Sequence, residues 1–270
     1  MSANTSHHTH IDPKDASSPK ISILIPAYNE ANRLAPTLTE IHTFFTDLQW
    51  PFEILVIDDG STDSTADLVH SFAESVAPKQ LHLIHHPRNL GKGAAARTGL
   101  SKACAPLVLL TDADLSTPIS NFHALFDAIK SGAALAIGSR ALPASNVTRP
   151  QNPLRRNLGR CYNYIIRSLT RLPFRDTQCG FKLFSLPAIS PILTHSQTNG
   201  FAFDIEWLLI AQKYQLPVAE IPVSWINSPD SKVHILLHPF EMLKETSRAV
   251  SRLKSLPAPP PPASLPTSRK

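Results

Sequence analysis

Apolar residues in this chain follow two spacings. Short runs rich in branched side chains, Ile21-Ser-Ile-Leu-Ile25, Phe52-Glu-Ile-Leu-Val-Ile57, Leu81-His-Leu-Ile84, Leu107-Val-Leu-Leu110 and Ala134 to Gly138, predict strands, the first stopped by Pro26. Between them the spacing turns helical. Leu34, Leu38, Ile41 and Phe45 share one face of a helix expected over 30–48, and further helices are expected over 64–72, 93–103 and 121–130. Strand and helix alternate roughly every 25 to 30 residues, the mark of βαβ units and a parallel sheet. Ligands of such sheets sit at the carboxyl ends of the strands. Polar turns follow the strands here: Tyr28-Asn29-Glu30, then Asp58-Asp59-Gly60-Ser61, then Asn89 to Gly93, then Asp112-Ala-Asp114. All four are therefore expected on one edge of the sheet.

After Pro153 the pattern changes. Leu154, Leu158, Cys161, Ile165, Leu169 and Leu172 keep helical spacing, with Arg155, Arg156, Arg160, Arg167 and Arg171 on the other faces. A helix over 203–214 and a strand over 218–225 follow. In 239–254, Phe240, Leu243 and Val250 share a face while Lys244, Arg248 and Arg252 form a basic stripe. Two readings of these basic amphipathic stretches stay open, contact with an anionic lipid surface or core packing with charged outer faces. Residues 1–19, with His7, His8 and His10, read as a disordered leader, and the Pro-rich 256–270 as an extended tail. The expected organisation is a leader over 1–19, one domain over 20–228, an amphipathic helix over 229–255 and the tail.

Composition narrows the class. Hydrophobic residues make 42% of the 270-residue chain and charged residues 17%, a globular balance. No apolar run approaches the roughly 18 residues that span a bilayer. Three cysteines without metal spacing, and no leading signal peptide, suggest reduced thiols in a cytoplasmic protein. A formal charge of +5 suits an anionic ligand and is too small to indicate nucleic acid. Glycine is scarce, 9 against 25 prolines, so each glycine is expected where backbone geometry demands it.

Asp112 and Asp114 lie on one side of an extended segment, and paired carboxylates suit Mg2+ or Mn2+ shared with substrate phosphates. Asp-x-Asp also caps helices, so this pair alone leaves both readings open. Gly91-Lys-Gly-Ala-Ala-Ala96 matches a dinucleotide fingerprint, but it follows the third strand and has no acidic partner about 20 residues on, which rejects that reading. The helix N-terminus beside Lys92 is still expected to attract an anion.

Pro26-Ala-Tyr-Asn-Glu30, Asp58-Asp-Gly-Ser-Thr-Asp63, Asn89-Leu-Gly-Lys-Gly93, Asp112-Ala-Asp114 and Gly138-Ser-Arg140, in this order, resemble the family 2 inverting glycosyltransferases with a GT-A fold. Arg175-Asp-Thr-Gln-Cys-Gly-Phe-Lys-Leu-Phe184, Phe201-Ala-Phe-Asp-Ile-Glu206 and Ala219 to Trp225 narrow the resemblance to the dolichyl-phosphate β-glucosyltransferase branch. It implies a mostly parallel Rossmann-like sheet flanked by helices; many relatives also carry transmembrane anchors, whereas the apolar runs of this chain predict C-terminal amphipathic helices and no transmembrane segment. It also implies a nucleotide-sugar donor, UDP-glucose favoured, and a polyprenyl-phosphate acceptor. Pro26, Tyr28 and Glu30 would bracket uracil and ribose, and Asp59 would bind base or ribose. Lys92 would meet the donor and Asp112 the ribose and metal, with Asp114 the main ligand to Mg2+ or Mn2+. Ser116 stands where mannose synthases carry a metal-joining Gln. Arg140, Arg175 and Lys182 would hold the acceptor phosphate, and Asp204 would be the base for a hydroxyl acceptor. Asp176 would orient Arg175 or a loop. GDP-mannose, another nucleotide sugar, a soluble acceptor or a silent binding module are the alternatives. The expected location is cytoplasmic, including peripheral contact with the cytoplasmic face of a membrane.

Overall fold

The computed structural model describes residues 18–148, 153–226 and 238–257. The expected leader up to residue 17 and the Pro-rich tail from 258 lie outside them, as do 149–152 and 227–237. Four parallel strands, β1 (Ile21–Ala27), β2 (Phe52–Asp58), β3 (Leu81–His85) and β4 (Leu107–Leu110), begin the sheet. The helices α1 (Ala31–Asp47), α2 (Thr65–Ser75) and α3 (Lys92–Lys102) connect them. A single 3-10 turn at Ile119–Asn121 leads into α4 (Phe122–Lys130) and β5 (Leu135–Ser139). The second half adds β6 (Asn146–Val147), α5 (Pro153–Thr170), β7 (Lys182–Ser185), α6 (Leu186–His195), α7 (Phe203–Lys213), β8 (Val218–Pro222), β9 (Ser224–Trp225) and α8 (His238–Ser255). The seven-stranded sheet runs β3-β2-β1-β4-β7-β5-β8, and β6 pairs with β9 apart from it.

Period-two alternation places the core. Ile21, Ile23 and Ile25 of β1 face one side, where Leu34, Leu38, Ile41 and Phe45 of α1 and Phe122 and Leu125 of α4 cover them. Leu24 and, on β2, Leu55 and Ile57 face the other, under Ala95, Ala96 and Leu100 of α3 and most of α7. Both faces are buried, which is why the strands read as continuous apolar runs.

The predicted strands and helices of the first half are present. The second half departs in three places. β7, which reads in sequence as part of a polar motif, is a strand, and it runs antiparallel between β4 and β5. The strand expected over 218–225 breaks at Val223, whose N–H turns to the Ser139 carbonyl, so β8 joins the sheet and β9 leaves it. The amphipathic faces are met in part: Leu243 and Val250 are partly buried against the core and Leu172 is buried, but other apolar members of the two stripes are not. On α8 the buried residues are Met242, Thr246, Ala249 and Leu253, while Phe240 is 76% exposed. On the described part of α5 Ile166 and Thr170 are buried, leaving Ile165 and Leu169 exposed. α5 and α8 pack against each other.

An aromatic cluster ties α1 to α4. Phe122 is fully buried and meets Phe45 at 5.2 Å and Trp50 at 5.5 Å between ring centroids, both edge-on. Phe122→Ala should lower unfolding stability by about 3–5 kcal/mol in urea titrations, with little change in the transition's slope.

Candidate active site

Because β1, β2, β3 and β4 are parallel, their carboxyl ends share one edge, and the polar turns that follow them are laced together there. Asp59 donates its backbone N–H to the Ala27 carbonyl at 2.8 Å. Asn29 and Glu30 donate theirs to Ser61 Oγ and Thr65 Oγ1, each at 2.8 Å. Asp58 is fully buried, accepting from the Ser61 N–H and pairing with His85 Nδ1. The Asp59 carboxylate accepts the N–H groups of Leu90 at 2.9 Å and Gly91 at 2.8 Å, and lies 2.7 Å from His86 Nδ1. The residue expected at the base or ribose thus also fastens the turn after β3. Pro26 is buried within β1, and Tyr28 stands 38% exposed at the rim. Glu30 is held by Arg33 through Nε and Nη2, at 2.8 and 2.7 Å.

The two aspartates after β4 are each met by a cation. Lys92 Nζ lies 2.6 Å from Asp112 Oδ1, and Arg33 Nη1 lies 3.3 Å from Asp114 Oδ2. Leu115 adopts φ +42°, a left-handed turn that lets Ser116 fold back onto Asp114, its N–H at 3.0 Å and Oγ at 2.8 Å from Oδ1. Ser116 therefore orients Asp114. Gly180 lies so close to the Asp112 carboxylate that any Cβ there would collide with it. Burial opposes the charge on Asp112, but Lys92, then Lys182 and Arg140, outweigh it and hold its pKa low. Burial likewise opposes the Lys92 ammonium, and Asp112, with Asp204 and Asp114 beyond, more than offsets it.

The segment 175–182 builds the wall opposite. Asp176 grips Arg140 in a fork, Nε to Oδ2 at 2.6 Å and Nη2 to Oδ1 at 2.9 Å, and also accepts the Arg140 backbone N–H at 3.0 Å. The Arg140 guanidinium stacks 5.7 Å over Trp225. Of the two roles expected for Asp176, it holds its own loop, accepting the Gln178 N–H at 3.1 Å, and it orients Arg140 in place of Arg175. Arg175 is exposed, only its backbone N–H engages, donating to Glu220, and the structure does not bring its guanidinium into the cluster. Lys182 is 1% exposed and donates to the Cys179 carbonyl and to Asp204 Oδ1, both at 2.6 Å. Burial raises the pKa of Asp204, and Lys182 and Lys92 only partly counter it. Lys182 and Asp204 thus form an interior pair beneath Lys92 and Asp112.

The anion site expected at the N-terminus of α3 is filled by protein. The N–H groups of Gly93 and Ala94 donate to the Asn199 carbonyl at 2.7 and 3.2 Å. Gly91 and Gly93 are glycine because the loop 198–200 presses on them: a Cβ on Gly93 would sit 2.5 Å from the Thr198 carbonyl oxygen. Lys92 remains, turned to Asp112. Sequence reasoning missed Arg33, whose signal was its position one turn from Glu30, and His86, which bridges Asp59 and Thr98 (Nε2 to Oγ1, 3.0 Å). Nothing local marks His86, because the bridge spans separate elements.

The edge can hold an oxygen-loving divalent ion in part. The Asp112 and Asp114 side chains keep 35% and 18% of their surface exposed. Among the described residues no group of three or more His, Cys, Asp or Glu is arranged to hold a metal. For such an ion Asp112 and Asp114 would be the carboxylate ligands, and phosphate and water would have to supply the rest.

Residues 22–192 match the model of glycosyl transferase family 2. A dolichyl-phosphate beta-glucosyltransferase of Trichomonas vaginalis is 36% identical over 224 residues, covering 79% of this chain and 66% of the relative. One from Dictyostelium discoideum is 33% identical, covering 84% of this chain and 73% of the relative. The chain thus spans slightly under two thirds of the first and somewhat more of the second. Among solved structures, glucosyl-3-phosphoglycerate synthase from Mycobacterium tuberculosis, crystallised with Mn2+ and UDP-glucose, superimposes with TM-score 0.59 at 19% identity, covering 87% of this chain and 79% of that one. It shares the fold.

Burial works to raise the Asp176 pKa, yet the Arg140 pairing brings it down from 3.8 to about 2. A depressed folded-state pKa adds stability above the unfolded value and loses it as pH falls through the folded one. In urea unfolding the wild type's advantage over Asp176→Asn should be full at about pH 6. It should shrink by about 2 kcal/mol between about pH 5 and pH 2.

Proposed function

This chain belongs to glycosyl transferase family 2, and from that premise we propose that it moves glucose from UDP-glucose to a polyprenyl (dolichyl-type) phosphate, inverting the anomeric centre. The family makes it a glycosyltransferase; the donor, the acceptor and the site residues are our reading. Two relatives carry the name dolichyl-phosphate beta-glucosyltransferase. The observation that carries the reading is the edge itself, where Asp112 and Asp114 stand among Lys92, Arg33 and the forked Arg140. Such a place suits a diphosphate leaving group next to a phosphate nucleophile.

In this scheme a lipid-phosphate oxygen attacks C1 of glucose, the C1–O bond to UDP breaks, and its electron pair leaves with UDP. The nucleophile is already anionic, so no proton has to be removed. Asp204 then serves to hold Lys182 and is not needed as a base. Asp114, oriented by Ser116, and Asp112 would bind Mg2+ or Mn2+ together with the donor diphosphate. When bound, that ion supplies Lewis-acid stabilisation of the departing UDP. Lys92 and Arg33, which pair with Asp112 and Asp114, would turn toward the diphosphate oxygens. Arg140, pre-set by Asp176, would hold the acceptor phosphate. Tyr28, Glu30 and Asp59 stand at the end expected for uracil and ribose.

For the lipid, α5 and α8 supply the candidate surface. Tyr164, 73% exposed, Ile165 and Leu169 on α5 and Phe240 on α8 project apolar groups, with Arg167, Lys244 and Arg248 exposed on the same helices. This combination supports peripheral contact with an anionic membrane face, on the cytoplasmic side in our reading. Among the described residues no helix is long and apolar enough to cross a membrane.

Release of UDP from UDP-glucose should depend on divalent metal and rise on adding a short polyprenyl phosphate. Stimulation by a soluble acceptor alone, or by GDP-mannose in place of UDP-glucose, would redirect the assignment. Asp114→Asn should lower kcat by roughly 100-fold or more, the size of losing a main electrostatic contact. In vesicle sedimentation, Lys244→Glu with Arg248→Glu should weaken binding to anionic vesicles by about 1 kcal/mol per charge, and leave neutral vesicles unaffected.

A further inference from the structure

A second ionic device lies behind the edge. Glu206, on α7, is 1% exposed, and its Oε2 accepts from Ser196 Oγ at 2.9 Å, Gln197 N–H at 3.0 Å and Thr198 N–H at 2.9 Å. Its other oxygen takes the Arg252 guanidinium of α8, which also donates to the His195 carbonyl at 2.7 Å. The indole of Trp207 adds a bond to Ser196 Oγ at 2.8 Å. Farther along the same helix, Glu245 accepts the Ala202 N–H and packs against Gly200. The loop between α6 and α7 is therefore fastened from behind by buried charge.

The front of that loop forms the cap of α3. Asn199 receives the Gly93 and Ala94 N–H groups on its carbonyl, and its Oδ1 takes the Arg97 guanidinium at 2.6 Å. A loop that moved would uncap α3, and Lys92 is the first residue of α3. The path from Arg252 to Lys92 Nζ runs through contacts that are all on one wall of the domain.

We propose that Arg252 and Glu206 are positioning residues for Lys92. By locking the 195–200 loop they set the α3 N-terminus, and so place the Lys92 ammonium for the nucleoside diphosphate. Neither touches substrate. The last helix of the described chain, which also carries the basic surface, is in this way built into the donor side of the site. The inference rests on the reading of Lys92 as a donor-diphosphate contact, and its test separates the two.

Binding of UDP in the presence of Mn2+ is measured by calorimetry for Lys92→Ala, Arg252→Met, Arg252→Lys and the double variant Lys92→Ala/Arg252→Met, alongside KM and kcat for UDP-glucose. Arg252→Met should raise the Kd for UDP and the KM on the order of tenfold, the usual size of coupling through a packed network, with a smaller change in kcat. Arg252→Lys, which keeps a donor near Glu206, should recover most of the loss. In the Lys92→Ala background Arg252→Met should add almost nothing, because the residue it positions is gone. A merely structural role would lower the melting temperature and add its effect in both backgrounds. Full additivity, or an unchanged Kd in Arg252→Met beside a weakened Lys92→Ala, overturns the inference and leaves the donor reading intact. An unchanged Kd in Lys92→Ala overturns both. The test uses Arg252, whose side chain is partly exposed, and so does not depend on replacing the buried Glu206.

Discussion

Carboxylates cannot be gathered at one edge of a sheet without cations to separate them. Like charges a few ångströms apart in a partly desolvated place repel by several kcal/mol, and the usual outcome is that one of them takes up a proton. Here the carboxylates meet cations from other elements, and Arg33 is shared between Asp114 and its near neighbour Glu30. Lys92 of α3 meets Asp112, Arg33 of α1 meets Asp114, Arg140 after β5 meets Asp176, and Lys182 of β7 meets Asp204. The parallel topology brings Asp112 and Asp114 to the edge, and the antiparallel β7 brings in the lysine that pairs with the buried Asp204. Take any one pair away and a neighbouring carboxylate loses part of the field that keeps it ionised.

The pairing also explains the glycines. Gly180 lets the Asp112 carboxylate lie against the backbone, and Gly91 and Gly93 let the 198–200 loop reach α3. Their missing side chains make room for protein and for the ion pairs of the site. The expectation that scarce glycines mark tight backbone geometry is met at Gly60, Gly91, Gly93 and Gly180, where the close approach is to other chain segments, and fails at Gly159, which has open space around it.

Much of the edge was legible because strands of period two and the turns after them are local features. Asp112, Asp114 and Asp59 could be placed on one edge from strand order alone. Their partners could not. Arg140 with Asp176, and Glu206 with Arg252, are separated by 36 and 46 residues, and no spacing rule reaches that far. The faces of α5 and α8 were misjudged in part for a related reason. Apolar periodicity finds a stripe, but the neighbouring helix selects the buried face, and Thr170 and Thr246 are buried where Ile165 and Phe240 are not. β7 escaped notice because its lysine faces the interior, where only Asp204 and the Cys179 carbonyl make it tolerable.

The balance of charge has a consequence for catalysis. Lys92, Arg33 and Arg140 each lie against an aspartate of the edge. In the proposed reaction a metal–diphosphate substrate would offer both sides of each pair a new partner at once, the ion for the carboxylates and the phosphates for Lys92 and Arg33. The exchange conserves the number of ionic contacts, so it costs less than bringing either component alone, which would leave a cation or a carboxylate unpaired in a desolvated place. Metal and nucleotide should for this reason bind together much better than separately. Arg140 stands outside that exchange, because the fork from Asp176 and the Trp225 face hold it fixed. A fixed cation beside exchangeable ones is what an anionic nucleophile requires, since it must be held in line while the charge on the leaving group grows.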